Sequence, residues 1–194
     1  MKANRYHNAM DYDYGRLAGS VIFVGAVQFV LALIIAEALY PGYSVADNTI
    51  SDLGVGPSAA IFNSSMLLLG ASIVVAAYLI QRRFKSKPFF ALLIITGVGA
   101  MGVGLFPENV RPLHTIASST AFLFEGLSAI ASFKLQKPPL SYLAVLLGLT
   151  TLAALALYGS GTYLGLGRGG MERMIAYPAL LWGVGFGGHL IGAS

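Results

Sequence analysis

Long apolar runs alternate with short polar segments along the whole chain. Prolines stand at or beside most of the boundaries between them, as at Pro41, Pro57 and Pro88, where the missing proline N–H is tolerated. Each run is long enough to cross the hydrocarbon core of a membrane as a helix, which takes about 20 apolar residues. The pattern therefore predicts six transmembrane helices, at approximately 17–39, 59–80, 89–106, 114–133, 140–158 and 174–192.

The segments between the runs differ in charge, and the difference predicts an orientation. Nine of the twelve Lys and Arg residues fall on one side of the predicted membrane, whereas Arg111, Arg168 and Arg173 fall on the other. Basic residues near helix ends favour the cytoplasmic side, so we predict a cytoplasmic N-terminus, and six crossings return the C-terminus to the same side. A five-helix alternative would leave the uncharged run 140–158 in water.

Composition supports a membrane protein and narrows its partners. Of the 194 residues 56% are apolar and 10% are charged, whereas about a quarter are charged in a soluble domain. The predicted fold class is thus an all-α integral membrane protein of the cell membrane, with residues 1–194 forming a single transmembrane domain, a six-transmembrane-helix bundle. Membrane lipids are its expected partners, and the sequence leaves the oligomeric state open.

The basic residues lie in short loops rather than on one solvated face, so we expect no nucleic-acid partner. The absence of cysteine excludes disulfides and thiolate metal ligands. One histidine on the predicted outer side is too few for a convincing zinc site. We therefore expect neither a metal nor a cofactor.

The predicted outer segments carry most of the remaining polar residues, which makes them the candidate site for a ligand or substrate. An outward-facing polar site for a lipid headgroup or another small anionic ligand is the first hypothesis. Its candidate ligand-binding residues in these segments, and in the helices that follow them, are Asn48, Ser51, Asp52, Arg111, His114, Arg168, Glu172, Arg173 and Tyr177.

Several outer residues have alternative structural roles. Asn48 and Asp52 are also common turn and helix-capping residues. Because the last helix is predicted to begin near 174, Glu172 and Arg173 would stand at its N-terminus, where backbone N–H groups suit an anion. The alternative is a flexible, glycine-rich hairpin whose Arg173 pairs with an acid such as Asp52 or Glu108. In either case we expect Asp52, Glu108, His114 and Arg173 to converge.

The fourth run contains a polar stripe on one helix face. Its members recur at steps of four and three, at His114, Ser118, Ala121, Glu125, Ser128 and Ser132. With a rise of about 1.5 Å per residue, Glu125 lies roughly 16 Å beyond His114 and inside the membrane. An unpaired charge there is costly, so Glu125 is expected to face other helices and to be neutral or paired, and it is a further candidate ligand-binding residue.

Short motifs resemble a prokaryotic six-span membrane family called domain of unknown function 998. They are NTISDLG with GPSAAIFNSS, FPENVRPLHTIASSTAF, and GGMERMIAYPALLW, and the resemblance covers nearly the whole chain. The ISDLG segment also resembles, more weakly, the ISD-G segment of DRAM/Sfk membrane proteins, a group associated with lipid and membrane biology. The resemblance implies a six-helix fold and no mechanism. The matching positions are Asn48, Ser51, Asp52, Gly54, Asn63, His114, Glu172, Arg173, Tyr177 and Pro178.

Three functions remain open from the sequence. An intramembrane hydrolase or transferase could use His114 as general base, Asp52 or Glu108 as its carboxylate, and an arginine to stabilise negative charge. Neither HExxH nor GxSxG is present. A small transporter or channel could use a polar route past Glu125. A structural or partner-binding protein could use the outer cluster only to hold its loops together.

The charge asymmetry yields a topology prediction. Reporters fused after Lys85 or Lys137 should score as cytoplasmic, and one inserted near Gly56 should score as external, because basic loops are retained inside. An external score at Lys85 would overturn the predicted orientation.

Overall fold

The protein is a bundle of six long helices. The computed structural model describes residues 13–193. Within them the helices are α1 (Tyr14–Ala38), α2 (Ala59–Phe84), α3 (Lys87–Leu105), α4 (Arg111–Ala131), α5 (Leu140–Gly159) and α6 (Gly167–Gly192). All six are long and apolar enough to cross a membrane, which confirms the prediction of a six-helix, all-α membrane protein. The basic residues Lys2 and Arg5, which contribute to the predicted orientation, lie outside the described residues.

Five helices agree with the predicted runs to within a few residues, and α6 does not. It begins at Gly167, well before the predicted boundary at 174, and so includes Arg168, Glu172 and Arg173. The sequence boundary was set by these charges, which are unfavourable in a membrane. In the folded protein each charge has a partner on another element, so the helix extends through them.

The six helices form a closed ring. Each packs against its neighbours in sequence, and α1 packs against α6 to complete the circle. Close approach at three of these contacts uses paired glycines, which let helix backbones touch in lipid. For example, a Cβ at Gly70 of α2 would lie 2.5 Å from the carbonyl oxygen of Gly97 on α3, and one at Gly97 would lie 2.7 Å from that of Gly70. The other pairs are Gly19 with Gly187 and Gly126 with Gly148.

The two ends of the ring differ in chemistry. At the basic end, α2 joins α3 and α4 joins α5 through tight connections, the second including a 3₁₀ helix at Ser132–Leu135. At the opposite end, called here the polar end, lie the connections 39–58, 106–110 and 160–166. The first of these is the longest in the described chain and contains a second 3₁₀ helix, Ser51–Gly54. It folds inward over the ring, where Ile50 and Leu53 are buried in the apolar core.

Candidate functional site

The α1–α2 connection, residues 39–58, rests directly on the first turn of α6. The N–H of Gly169 donates to the carbonyl oxygen of Ala46 at 2.8 Å, and a Cβ at Gly169 would lie 2.0 Å from the carbonyl oxygen of Asn48. Only glycine allows this approach. The first turn of α6, with Gly167 and Gly169, is thus a packing surface for the connection, and the amide of Gly169 is already occupied by protein.

Glu172 holds the inner part of the connection. Its side chain is buried, with Oε2 accepting from the N–H of Ile50 at 2.5 Å and Oε1 bonded to the Ser51 hydroxyl at 2.9 Å. The N–H of Ser51 also bonds to this carboxyl group. These amides stand at the start of the Ser51–Gly54 helix, where they lack helical acceptors and favour a negative charge. Ser51 and Glu172 were both predicted to contact a ligand, and in the structure they contact each other.

His114 extends the same hydrogen-bond chain. Its Nε2 lies 3.1 Å from the Ser51 oxygen and its Nδ1 lies 2.8 Å from the carbonyl oxygen of Phe106. A carbonyl oxygen can only accept, so Nδ1 carries a hydrogen. His114, Ser51 and Glu172 are each buried, and together they form what we call the buried array. It joins three elements: α4, the α1–α2 connection and α6.

Arg173 holds the outer part of the connection. Its guanidinium bonds to the Glu37 carboxylate at 2.5 Å and donates to the Tyr43 hydroxyl at 2.6 Å. Burial raises the pKa of Tyr43 to about 12, although the hydrogen bond from Arg173 acts in the opposite direction. The partner of Arg173 is therefore Glu37, not Asp52 or Glu108. Arg173 also donates to the carbonyl oxygens of Val45, Asn48 and Gly169.

Asn48 and Asp52 shape the turn between these two anchors. Asp52 accepts from the N–H of Thr49 at 2.9 Å and from the Asn48 amide at 3.1 Å. Burial acts to raise the pKa of Asp52, but these hydrogen bonds, with one to Glu108, outweigh burial and lower the pKa below its usual value. This geometry fits the turn and capping roles.

A polar cavity of about 310 Å³ opens beside the buried array. Across it Arg168 bonds to Glu108 at 3.1 Å and to the Tyr158 hydroxyl at 3.0 Å. Arg111, the first residue of α4, is exposed and has no hydrogen-bond or ion-pair partner among residues 13–193. Of the predicted site residues, the cavity is lined by Ser51, Glu108, Arg111, His114, Arg168 and Glu172.

The remaining predicted residues lie elsewhere. Asn48, Asp52 and Arg173 lie nearby in the α1–α2 connection and α6 without lining the cavity. Tyr177 lies on the outer surface of the ring, in a groove between α1 and α6. Glu125 is deeper inside the ring, where it lines two small cavities of about 40 Å³ and 20 Å³.

Sequence reasoning missed several polar residues of the cavity wall. Thr115 and Ser119 are four positions apart and so share a face of α4, which lies beside the stripe through His114; that spacing was a usable signal for them. Tyr158 closes an apolar run and gave no signal. The missed polar residues are Thr115, Ser119 and Tyr158. In the described part of the chain, no cluster of three or more His, Asp or Glu side chains could hold a metal ion.

The geometry predicts that Arg173 is a structural residue. Arg173→Gln should lower the melting temperature strongly, because it leaves Glu37 and three carbonyl oxygens without their donor, and breaking a buried pair costs about 3–5 kcal/mol. Arg168→Gln is the matched control, since the Arg168 side chain is 48% exposed against 5% for Arg173. Loss of the exposed Arg168–Glu108 pair should lower the free energy of unfolding by no more than about 1 kcal/mol. Equal melting temperatures for the two variants would contradict this role.

Comparison with known proteins places the chain in a family. The model of a family described as a protein of unknown function, DUF998, matches residues 23–189. The same comparisons found no matching curated protein and no matching solved structure, and none supports the weaker likeness to DRAM/Sfk proteins. The match begins within α1 and ends within α6, so it covers the four helices between them and every residue of the polar cavity. The chain therefore belongs to the DUF998 family.

Proposed function

We propose that the polar cavity binds a phosphate-type anion, presented by a membrane-lipid headgroup or by a free phosphate compound. The observation that carries the proposal is Arg111, a cation at the cavity wall without a protein partner. The other guanidinium, Arg168, is shared with Glu108. A planar guanidinium with free N–H donors suits the paired oxygens of a phosphate or carboxylate.

The balance of charge in the cavity favours an anion. Arg168 and Glu108 neutralise each other at 3.1 Å, and the Glu172 carboxyl group is already bonded to Ile50 and Ser51. Arg111 is therefore the one cation of the cavity wall that no carboxylate of the described residues contacts. Because Arg111 is the first residue of α4, the positive end of the helix dipole lies at the same wall.

The shape of the cavity favours a lipid as the source of that anion. Its upper wall is polar, while Phe122, Leu155 and Ile175 supply an apolar lower wall. The cavity lies at the end of helices apolar enough to cross a membrane, which is the depth of lipid headgroups. An amphipathic molecule would match both walls, and a volume of about 310 Å³ is at the lower limit for small-molecule sites.

Binding is better supported than hydrolysis at Ser51. A serine nucleophile needs nearby donors for the oxyanion that develops during attack. The amides of Ile50 and Ser51 would be the natural donors, and the Glu172 carboxyl group already occupies them. The proposed function is accordingly recognition of an anionic group, with Arg111 as its main contact.

A lipid-binding experiment tests this proposal. Purified protein in nanodiscs is titrated with phosphatidic acid and, separately, with diacylglycerol of the same acyl chains, and the melting temperature is recorded. Phosphatidic acid should stabilise the wild type and diacylglycerol should not. Arg111→Gln should weaken phosphatidic acid binding about ten-fold or more, because it removes charge-assisted hydrogen bonds.

The control is Arg83→Gln, which removes an arginine at the basic end, where Arg83 lies over the Phe84 ring. That variant should bind as the wild type does. Inorganic phosphate added alone distinguishes the two sources: stabilisation equal to that by phosphatidic acid would identify a free phosphate compound. Undiminished binding by Arg111→Gln, or equal stabilisation by diacylglycerol, would refute the proposal.

A further inference from the structure

In their ordinary protonation states, the three residues of the buried array have one hydrogen too few for their hydrogen bonds. Ser51 has one hydroxyl hydrogen but two close partners, Glu172 at 2.9 Å and His114 Nε2 at 3.1 Å. The Nδ1 hydrogen of His114 is committed to the Phe106 carbonyl oxygen. With an ionised Glu172 and a neutral His114, both partners would be acceptors, and one contact would oppose two lone pairs.

One additional proton satisfies every contact. If it resides on Glu172, this carboxyl donates to Ser51 and Ser51 donates to His114 Nε2. If it resides on His114, Nε2 donates to Ser51 and Ser51 donates to Glu172. The two forms interconvert when one proton moves from Glu172 to the Ser51 oxygen while the original Ser51 proton moves to Nε2. One proton crosses the array, and total charge is unchanged.

The members of the array differ in the spaces they face. All three line the polar cavity, and Ser51 and Glu172 also line a second, interior cavity of about 40 Å³. The walls of that interior cavity include Ser51, Ser118 and Glu125. A water molecule needs about 10–15 Å³, so the interior cavity has room for about three water molecules, and four polar side chains could bind them. Glu172 and Glu125 thus share one small space.

Glu125 is placed to receive a proton. It has no hydrogen-bond or ion-pair partner among the described residues, and a carboxyl group without a partner in an apolar setting is stable in its neutral, protonated form. Beyond Glu125 the next cavity is only about 20 Å³ and is bounded by Trp182. The stacked rings of Trp182 and Phe186, with Phe89 against them, close the path toward the basic end.

We propose that the buried array is a proton path that gives Glu125 access to the polar end alone. With the Ser51 hydroxyl turned toward Glu172, the free Nε2 of His114 takes a proton from the polar cavity. The Nε2 proton then moves to the Ser51 oxygen as the Ser51 proton moves to Glu172, and Glu172 passes a proton through the interior cavity to an ionised Glu125. Discharge follows the same steps in reverse. This function is independent of anion binding at Arg111, because Arg111 is not part of the array.

Charged and titratable groups surround only the outer end of this path. Those nearest the array come from every element packed around it. They are Glu108 of the α3–α4 connection, Arg111 of α4, Tyr158 of α5, Arg168 and Arg173 of α6, Glu37 of α1, and Tyr43 and Asp52 of the α1–α2 connection. The α1, α2 and α3 residues that line the two interior cavities include no ionisable side chain. Among the residues that line the two interior cavities, Glu172 is the only ionisable neighbour of Glu125, so Glu172 is the relay expected between Glu125 and the polar end.

Hydrogen–deuterium exchange at the Glu125 carboxyl group tests the path. The protein is reconstituted in lipid, moved into D₂O, and followed by infrared spectroscopy at the C=O stretch of protonated carboxyl groups. Glu125→Gln identifies the Glu125 band by its loss. Ser51→Ala should slow exchange of that band about ten-fold or more, because the central hydroxyl is missing. Ser51→Thr, which keeps the hydroxyl, should restore it.

Two further variants complete the design. Glu172→Gln has no acid proton to pass and should slow exchange as Ser51→Ala does, so it decides the result if Ser51→Ala fails to fold. Ser119→Ala, a change in the cavity wall outside the array, should exchange at the wild-type rate. Wild-type exchange in folded Ser51→Ala or Glu172→Gln would overturn the proposal, as would a Glu125→Gln spectrum that loses no protonated-carboxyl band.

Discussion

The structure of the polar end depends on the hydrogen bonds by which α6 holds the α1–α2 connection. Two consecutive residues provide it: Glu172 binds backbone N–H groups at the start of a 3₁₀ helix, and Arg173 binds carbonyl oxygens of the same connection. Neighbouring positions on a helix point about 100° apart, so each reaches a different part of the connection. Burying both charges is tolerable only because each finds several partners at once.

The same hydrogen bonds position one wall of the polar cavity. By drawing the connection over the ring, Glu172 places the Ser51 hydroxyl between itself and His114. The array then separates a polar space, which contains Arg111, from the apolar interior, which contains Glu125. The proposed anion recognition and the proposed proton access thus depend on one packing arrangement but on different residues, so we expect that a variant can remove either one while the fold remains.

The sequence predicted the helices well because hydropathy and run length are local properties. It predicted the start of α6 poorly, because the partners that allow Glu172 and Arg173 inside a helix lie more than a hundred positions away, at Ser51 and Glu37. No local pattern contains that information. The predicted turn roles of Asn48 and Asp52 depend on neighbours within four residues, and the structure has the corresponding contacts.

The sequence predicted where the candidate site lies but not what each of its residues contacts. Charge segregation brought Glu108, Arg111, His114 and Arg168 to one end, and the cavity contains all four. Whether a residue faces the cavity, the protein backbone or the outer surface depends on helix rotation and packing, which composition does not determine. Arg173 and Tyr177 share a helix with Arg168, yet Arg173 binds the α1–α2 connection and Tyr177 faces outward.

The central claim is that Glu172 holds the Ser51–Gly54 turn in place, and backbone amide exchange measures this most directly. Hydrogen–deuterium exchange with mass spectrometry would compare peptides covering residues 48–54 in the wild type, in Glu172→Ala and in Glu125→Ala as control. We predict slow exchange in the wild type and the control, and fast exchange confined to this segment in Glu172→Ala. Equal protection of the segment in Glu172→Ala and the wild type would contradict the account.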